Sequence, residues 1–78
     1  MTKAELIERL KAESFDPEYF SLDGELPTME GFCLDFIYGK WVVFYYERGM
    51  KRRRQEFLTE EEATDCLYRL VKQNSMYL

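Results

Sequence analysis

The chain predicts an α+β domain of order α-βββ-α, with a three-stranded antiparallel meander and helices packed on one of its faces. Three observations carry this. Residues 31–49, GFCLDFIYGKWVVFYYERG, form the densest aromatic and β-branched run and are broken once, at Gly39-Lys40. Ala63, Cys66, Leu67, Leu70 and Val71 recur at helical spacing near the end of the chain. A hydroxyl followed three residues later by a carboxylate opens both ends, as Thr2 with Glu5 and as Thr59 with Glu62.

The first helix is expected over about 3–13, with Ala4, Leu6, Ile7 and Leu10 as a narrow apolar stripe and Phe15 as an anchor beyond it. Residues 15–30, FDPEYFSLDGELPTME, hold both prolines and the Asp23-Gly24 turn pair, so they read as an ordered connector rather than a long element. Tyr19, Phe20, Leu22, Leu26 and Met29 are too many apolar groups for a solvated linker, and several of them should plug the edge of the core.

Strands follow over about 31–38, 41–47 and 51–58. Gly39 as the first central residue suits a type II′ turn, which pairs Tyr38 with Trp41. Side chains alternate along a strand. One face, A, therefore gathers Phe32, Leu34, Phe36 and Tyr38 with Trp41, Val43, Tyr45 and Glu47. The other, B, gathers Cys33, Asp35 and Ile37 with Val42, Phe44 and Tyr46, and is unusually apolar for a face that meets water. Gly49 permits the positive φ of a second turn. The third strand is basic in its first half, as suits a protected edge. A helix over about 60–73 closes the domain, with Glu60, Glu61 and Glu62 where the helix dipole favours negative charge. It is expected on face A.

With 78 residues the chain makes one domain near the small end of what folds alone. It contains no histidine, and its two cysteines, Cys33 and Cys66, lie 33 positions apart in apolar patterns. That predicts buried free thiols and no metal site. No signal-peptide pattern or membrane-length apolar run is present, so a cytoplasmic protein is expected, with no membrane contact. There is no nucleophile motif and no Gly-rich phosphate loop, and the carboxylates lack an apolar cleft to shift their pKa values. The expectation is a non-enzyme without a cofactor.

The net charge of −4 conceals a segregation. From Ala12 to Gly39 there is no Lys or Arg, while Glu13, Asp16, Glu18, Asp23, Glu25, Glu30 and Asp35 supply seven negative charges. Between Arg48 and Arg54 the sign reverses, with five positive charges in seven residues. Such blocks steer charged partners. An acidic surface with aromatic anchors suits the cationic cleft of a nuclease, and the contacts expected for it are Asp16, Glu18, Tyr19, Asp23, Glu25, Glu30, Asp35, Phe44 and Tyr46. The basic run Lys51, Arg52, Arg53 and Arg54 beside Tyr45 and Tyr46 offers an alternative, a small nucleic-acid contact. A third reading is a homodimer that buries face B on itself.

The stretches YFSLDGELP (19–27), CLDFIYGKWVVFYYERG (33–49) and EFLTEEEATDCLYRLV (56–71) resemble a family of small bacterial proteins. Its members carry a YSLDGGLP segment, a W-x-V-Y-Y-x-E-R-G strand and an F-x-x-E-x-x-A helix start. Tyr19, Asp23, Gly24, Trp41, Tyr45, Glu47, Arg48, Gly49, Phe57, Glu61 and Ala63 match by position, and the chain departs at Glu25, Val42, Phe44 and Tyr46. The family is that of immunity proteins of polymorphic-toxin and contact-dependent growth-inhibition systems. The resemblance implies a protein that binds and neutralises a cognate toxin domain, its matched residues holding the fold. When free, the chain is expected to be a monomer or weak homodimer.

Overall fold

The computed structural model describes residues 1–22, 26 and 30–74. Helix α1, Lys3–Ala12, is opened by the expected capping box: the Thr2 hydroxyl accepts from the Glu5 amide at 3.2 Å, and the Glu5 carboxylate accepts from the Thr2 amide at 2.8 Å. Its end was not foreseen. Ser14, at φ 62°, turns the chain left-handed, its amide donates to the Lys11 carbonyl, and the Phe15 amide donates to the Leu10 carbonyl. This is a Schellman motif built without glycine, and Phe15 and Leu10 bury the hydrophobic contact that accompanies it. Of the expected stripe, Leu6 and Leu10 are buried, Ile7 is partly buried and Ala4 is exposed.

The connector contains more order than its prolines suggest. A single 3₁₀ turn, Pro17–Tyr19, is capped by the Asp16 carboxylate, which accepts from the Glu18 amide at 2.9 Å. Strand β1, Phe20–Ser21, then pairs in parallel with β2, Glu30–Ile37. The expected three-stranded antiparallel sheet is thus a four-stranded mixed sheet of order β1-β2-β3-β4, completed by β3, Lys40–Glu47, and β4, Met50–Phe57. Two residues escape a periodicity argument because they are too short a run to alternate. Phe20 and Leu22 reach the core as expected, whereas Leu26 is exposed. Met29 lies outside the described residues.

The first hairpin closes one position earlier than expected. Ile37 pairs with Lys40 and Phe36 with Trp41, so the two turn residues are Tyr38 and Gly39. Both have positive φ, 51° and 78°, which is the type I′ geometry whose twist matches that of the flanking strands. Arg48 and Gly49, at 50° and 80°, close the second hairpin in the same way. The change moves each strand partner by two residues, and because side chains alternate with period two, both faces keep the membership read from the sequence except for Tyr38, which passes from face A into the turn and is fully exposed.

Helix α2, Glu60–Gln73, lies across β2, β3 and β4, and α1 lies against α2. Face A meets them in one core of Leu6, Leu10, Phe15, Leu22, Phe32, Leu34, Val43, Ala63, Cys66, Leu67 and Val71. The Thr59 hydroxyl caps α2 by accepting from the Glu62 amide at 3.2 Å. The Glu60 carboxylate accepts from the Lys3 amide at 3.0 Å, so the start of one helix helps to cap the other. Both cysteines are free and buried, and burial pushes the Cys33 thiol up to about 11.

Face B departs from the expectation of an open apolar surface. Cys33, Val42 and Phe44 are at most 2% exposed, with Ile37 and Tyr46 packed beside them. The Lys51 ammonium sits 5.0 Å from the centre of the Phe44 ring, and Glu56 accepts ion pairs from both Lys40 and Arg54 at 3.2 Å. Lys51 thus lies over Phe44, its stem covering apolar surface while its head remains in water, and Lys40, Arg54 and Glu56 stand beside the trio on the neighbouring strand positions.

Candidate partner-binding site

The acidic residues expected to share one surface are divided by the sheet. Glu30 belongs to face A, where its carboxylate accepts from the Tyr45 hydroxyl at 2.9 Å. Burial first, and then this bond, push the Tyr45 phenol up to about 12. Asp35 lies on face B five residues further along β2, about 17 Å away at the usual strand rise. Its carboxylate accepts locally from the Phe36 amide at 2.8 Å. These two cannot meet a single small partner patch together.

Phe44 is a correction. At 2% exposure beneath Lys51 it packs the sheet and presents no contact surface. Alternation does place it on face B, but composition alone could not reveal that the lysine seven residues later lies over its ring. Asp23 and Glu25 lie outside the described residues.

The remaining residues gather around Gly31. A Cβ on Gly31 would stand 2.6 Å from the Tyr19 carbonyl oxygen, so the β1 edge presses onto β2 where β2 has no side chain. Tyr46 is the β3 partner of Gly31 and is partly exposed. The two backbones thus adjoin the same glycine, but the side chains part: Tyr46 packs on face B, whereas the Tyr19 phenol lies within electrostatic reach of Tyr45 on face A, with Asp16 and the exposed Glu18 in the turn that leads into Tyr19. Asp16, Glu18 and Tyr19 form an acidic and aromatic corner of the sheet, and Tyr46 stands apart from it on face B.

The basic residues stand on the other edge. Lys51, Arg52, Arg53 and Arg54 are all exposed on β4, and much of their charge is engaged internally. Arg52 pairs with Glu47 at 3.5 Å, Arg54 with Glu56 at 3.2 Å, and Lys51 covers Phe44. Arg53 makes no ion pair among the described residues. It sits at φ 55° in a β-bulge, with Arg53 and Arg54 together opposite Phe44 between the pairs Val43–Gln55 and Tyr45–Arg52.

Sequence reasoning missed a cleft of about 590 Å³ beyond the C-terminal end of α2, lined among the described residues by Phe32, Tyr45, Glu47, Arg52, Arg53 and Asn74. Phe32 and Tyr45 pack at 4.8 Å between ring centres. The residues were legible in the strand pattern, but their convergence depends on the bulge, which has no glycine to announce it.

Among the described residues no group of three or more Cys, Asp or Glu side chains is placed to hold a metal ion, and no helix is long and apolar enough to cross a membrane. Comparison with protein-family models, curated proteins and solved structures finds no match for the chain.

Proposed function

We propose that this protein is a non-catalytic immunity protein that binds and neutralises a cognate bacterial toxin domain, a cationic nuclease, through its acidic corner. The observation that carries the reading is the separation of charge across the sheet. The cation-free stretch of residues 12–39 supplies the β1 and β2 edge, while Lys51 to Arg54 line the β4 edge at the far side. A molecule so polarised presents one side to a cationic partner and speeds its encounter. Tyr19 supplies an aromatic group of the kind that commonly anchors interfaces. The resemblance of 19–27 and 33–49 to toxin-neutralising proteins points the same way.

Two other readings fare less well. Nucleic-acid binding by the basic run needs free cations and stacking rings, whereas Arg52 and Arg54 are paired, and Tyr45 is half-buried and bonded to Glu30. A homodimer through face B needs exposed apolar area, and Val42 and Phe44 are already buried.

The test is binding of the full chain to the toxin domain encoded in the neighbouring open reading frame, measured with rising salt. Asp16→Asn, which keeps an acceptor for the Glu18 amide, combined with charge reversal at Glu18 should slow association by about 10-fold, the order that electrostatic steering provides, with little change in thermal stability. Absence of binding to that domain sinks the reading. Binding indifferent to the reversal removes the acidic corner from it.

A further inference from the structure

The cleft beyond α2 is the feature that the toxin-binding reading leaves unused. In a regular strand Arg52 and Arg53 would point to opposite faces of the sheet. Here they line the same cleft, because the chain takes a left-handed step at Arg53, φ 55°, in the middle of β4. Bulges of this kind re-aim side chains, and a glycine would adopt the step more easily than an arginine. The step therefore sets one guanidinium, free of ion pairs among the described residues, beside another whose partner is a 3.5 Å contact with Glu47. The wall that faces them is aromatic, formed by the half-buried Tyr45 with the buried Phe32 behind it.

We propose that this cleft binds a monoanionic carboxylate carried on an aromatic group, with Arg53 and Arg52 gripping the carboxylate and the ring lying against Tyr45, which the buried Phe32 backs. Planar guanidinium groups match a carboxylate through paired, charge-assisted hydrogen bonds. The charge of the cleft selects the anion. Glu47 lines it and the Glu30 carboxylate is bonded to Tyr45, so a phosphate or a polyanionic strand would meet two carboxylates, whereas a single carboxylate needs only to displace Glu47 from Arg52. The volume, about 590 Å³, is that of a small-molecule or side-chain pocket. The inference stands independently of toxin binding, which uses the opposite edge of the sheet.

The test is a nuclear magnetic resonance titration of the full chain with sodium N-acetylphenylalaninate and with the capped peptide acetyl-Gly-Glu-Phe-Gly-amide. Saturable shifts at Arg52, Arg53, Phe32 and Tyr45 are expected from at least one of them, and which one binds more tightly tells a free aromatic acid from a polypeptide source. Arg53→Gly keeps the left-handed step, so it should fold as well as the parent and bind at least about tenfold more weakly, as loss of a charge-assisted contact gives. Glu47→Gln should bind severalfold more tightly, since it removes the internal competitor for Arg52. The proposal is overturned if neither carboxylate shifts these residues. Equal binding of the uncharged N-acetylphenylalaninamide, or undiminished binding by Arg53→Gly, also overturns it. So does preference for inorganic phosphate or a single-stranded oligonucleotide.

Discussion

The two faces of the sheet are shielded by different means. Face A buries Leu34 and Val43 under two amphipathic helices, so apolar side chains meet apolar side chains. Face B buries Cys33, Val42 and Phe44 as completely, yet the neighbours beside them on β3 and β4 are Lys40, Lys51, Arg54 and Glu56. Strand alternation predicts which residues share a face, and it does so correctly for both. It does not predict how wet a face is, because a lysine or arginine stem covers apolar surface while its charge stays in solvent. An apolar outer face is therefore not by itself an invitation to a partner.

The largest expected effects test whether the two faces are equally packed. Leu67→Ala on α2, at 0% exposure, should cost about 3 kcal/mol, and Phe44→Ala should cost about as much or more, the range for deletion of buried side chains. Urea denaturation of both variants measures this. If Phe44→Ala costs under about 1 kcal/mol, the side chains over face B do not exclude water as the helices do, and the equivalence fails.

The corner where β1 meets β2 gives the next effect. Gly31→Ala places a methyl 2.6 Å from the Tyr19 carbonyl oxygen, and the neighbour is backbone, which cannot swing aside. A loss of about 2 kcal/mol is expected, with faster hydrogen exchange at Phe20 and Ser21 as β1 separates from β2. Normal exchange there would mean that the strand accommodates a side chain.

Alkaline titration separates the faces in another way. Tyr45 on face A, pushed up to about 12 by burial and by Glu30, should ionise late as phenolate absorbance is followed with pH. The unfolded phenol ionises near its ordinary value of about 10, and the folded one holds its proton longer. The contribution to stability is thus complete below pH 10 and declines as pH rises from there toward 12. Glu30→Gln replaces the carboxylate that helps to hold the phenolic proton, so Tyr45 should then ionise earlier.

Much of the fold was legible because it rests on periodicity and end signals. The stripe of α2, the Thr2 and Thr59 caps and the two faces of the hairpin all follow from spacing. What stayed hidden depends on single residues in left-handed backbone. Ser14 ends α1, Tyr38 shares the first turn, and Arg53 makes the bulge, all at positive φ without being glycine. No propensity argument selects them, since surrounding packing and hydrogen bonding must outweigh a local cost of about 1–2 kcal/mol each. The candidate corner was legible as chemistry but not as geometry. Asp16, Glu18 and Tyr19 are held against the sheet only because Gly31 lets the chain at β1 close against β2, and that pairing spans two residues.

The smallest effect is the most discriminating for face B. If Lys51 protects Phe44 mainly by its stem, Lys51→Met keeps the cover and gives up only the cation over the ring, worth about 0.5–1 kcal/mol at an exposed site. Lys51→Ala removes stem and charge together and should cost more than Lys51→Met, with Phe44 gaining solvent exposure. If instead the ammonium dominates, the two variants should lose equal stability, and both losses should shrink in high salt. The difference between two exposed substitutions thus decides whether face B is a second core roofed by aliphatic carbon or a surface held closed by charge.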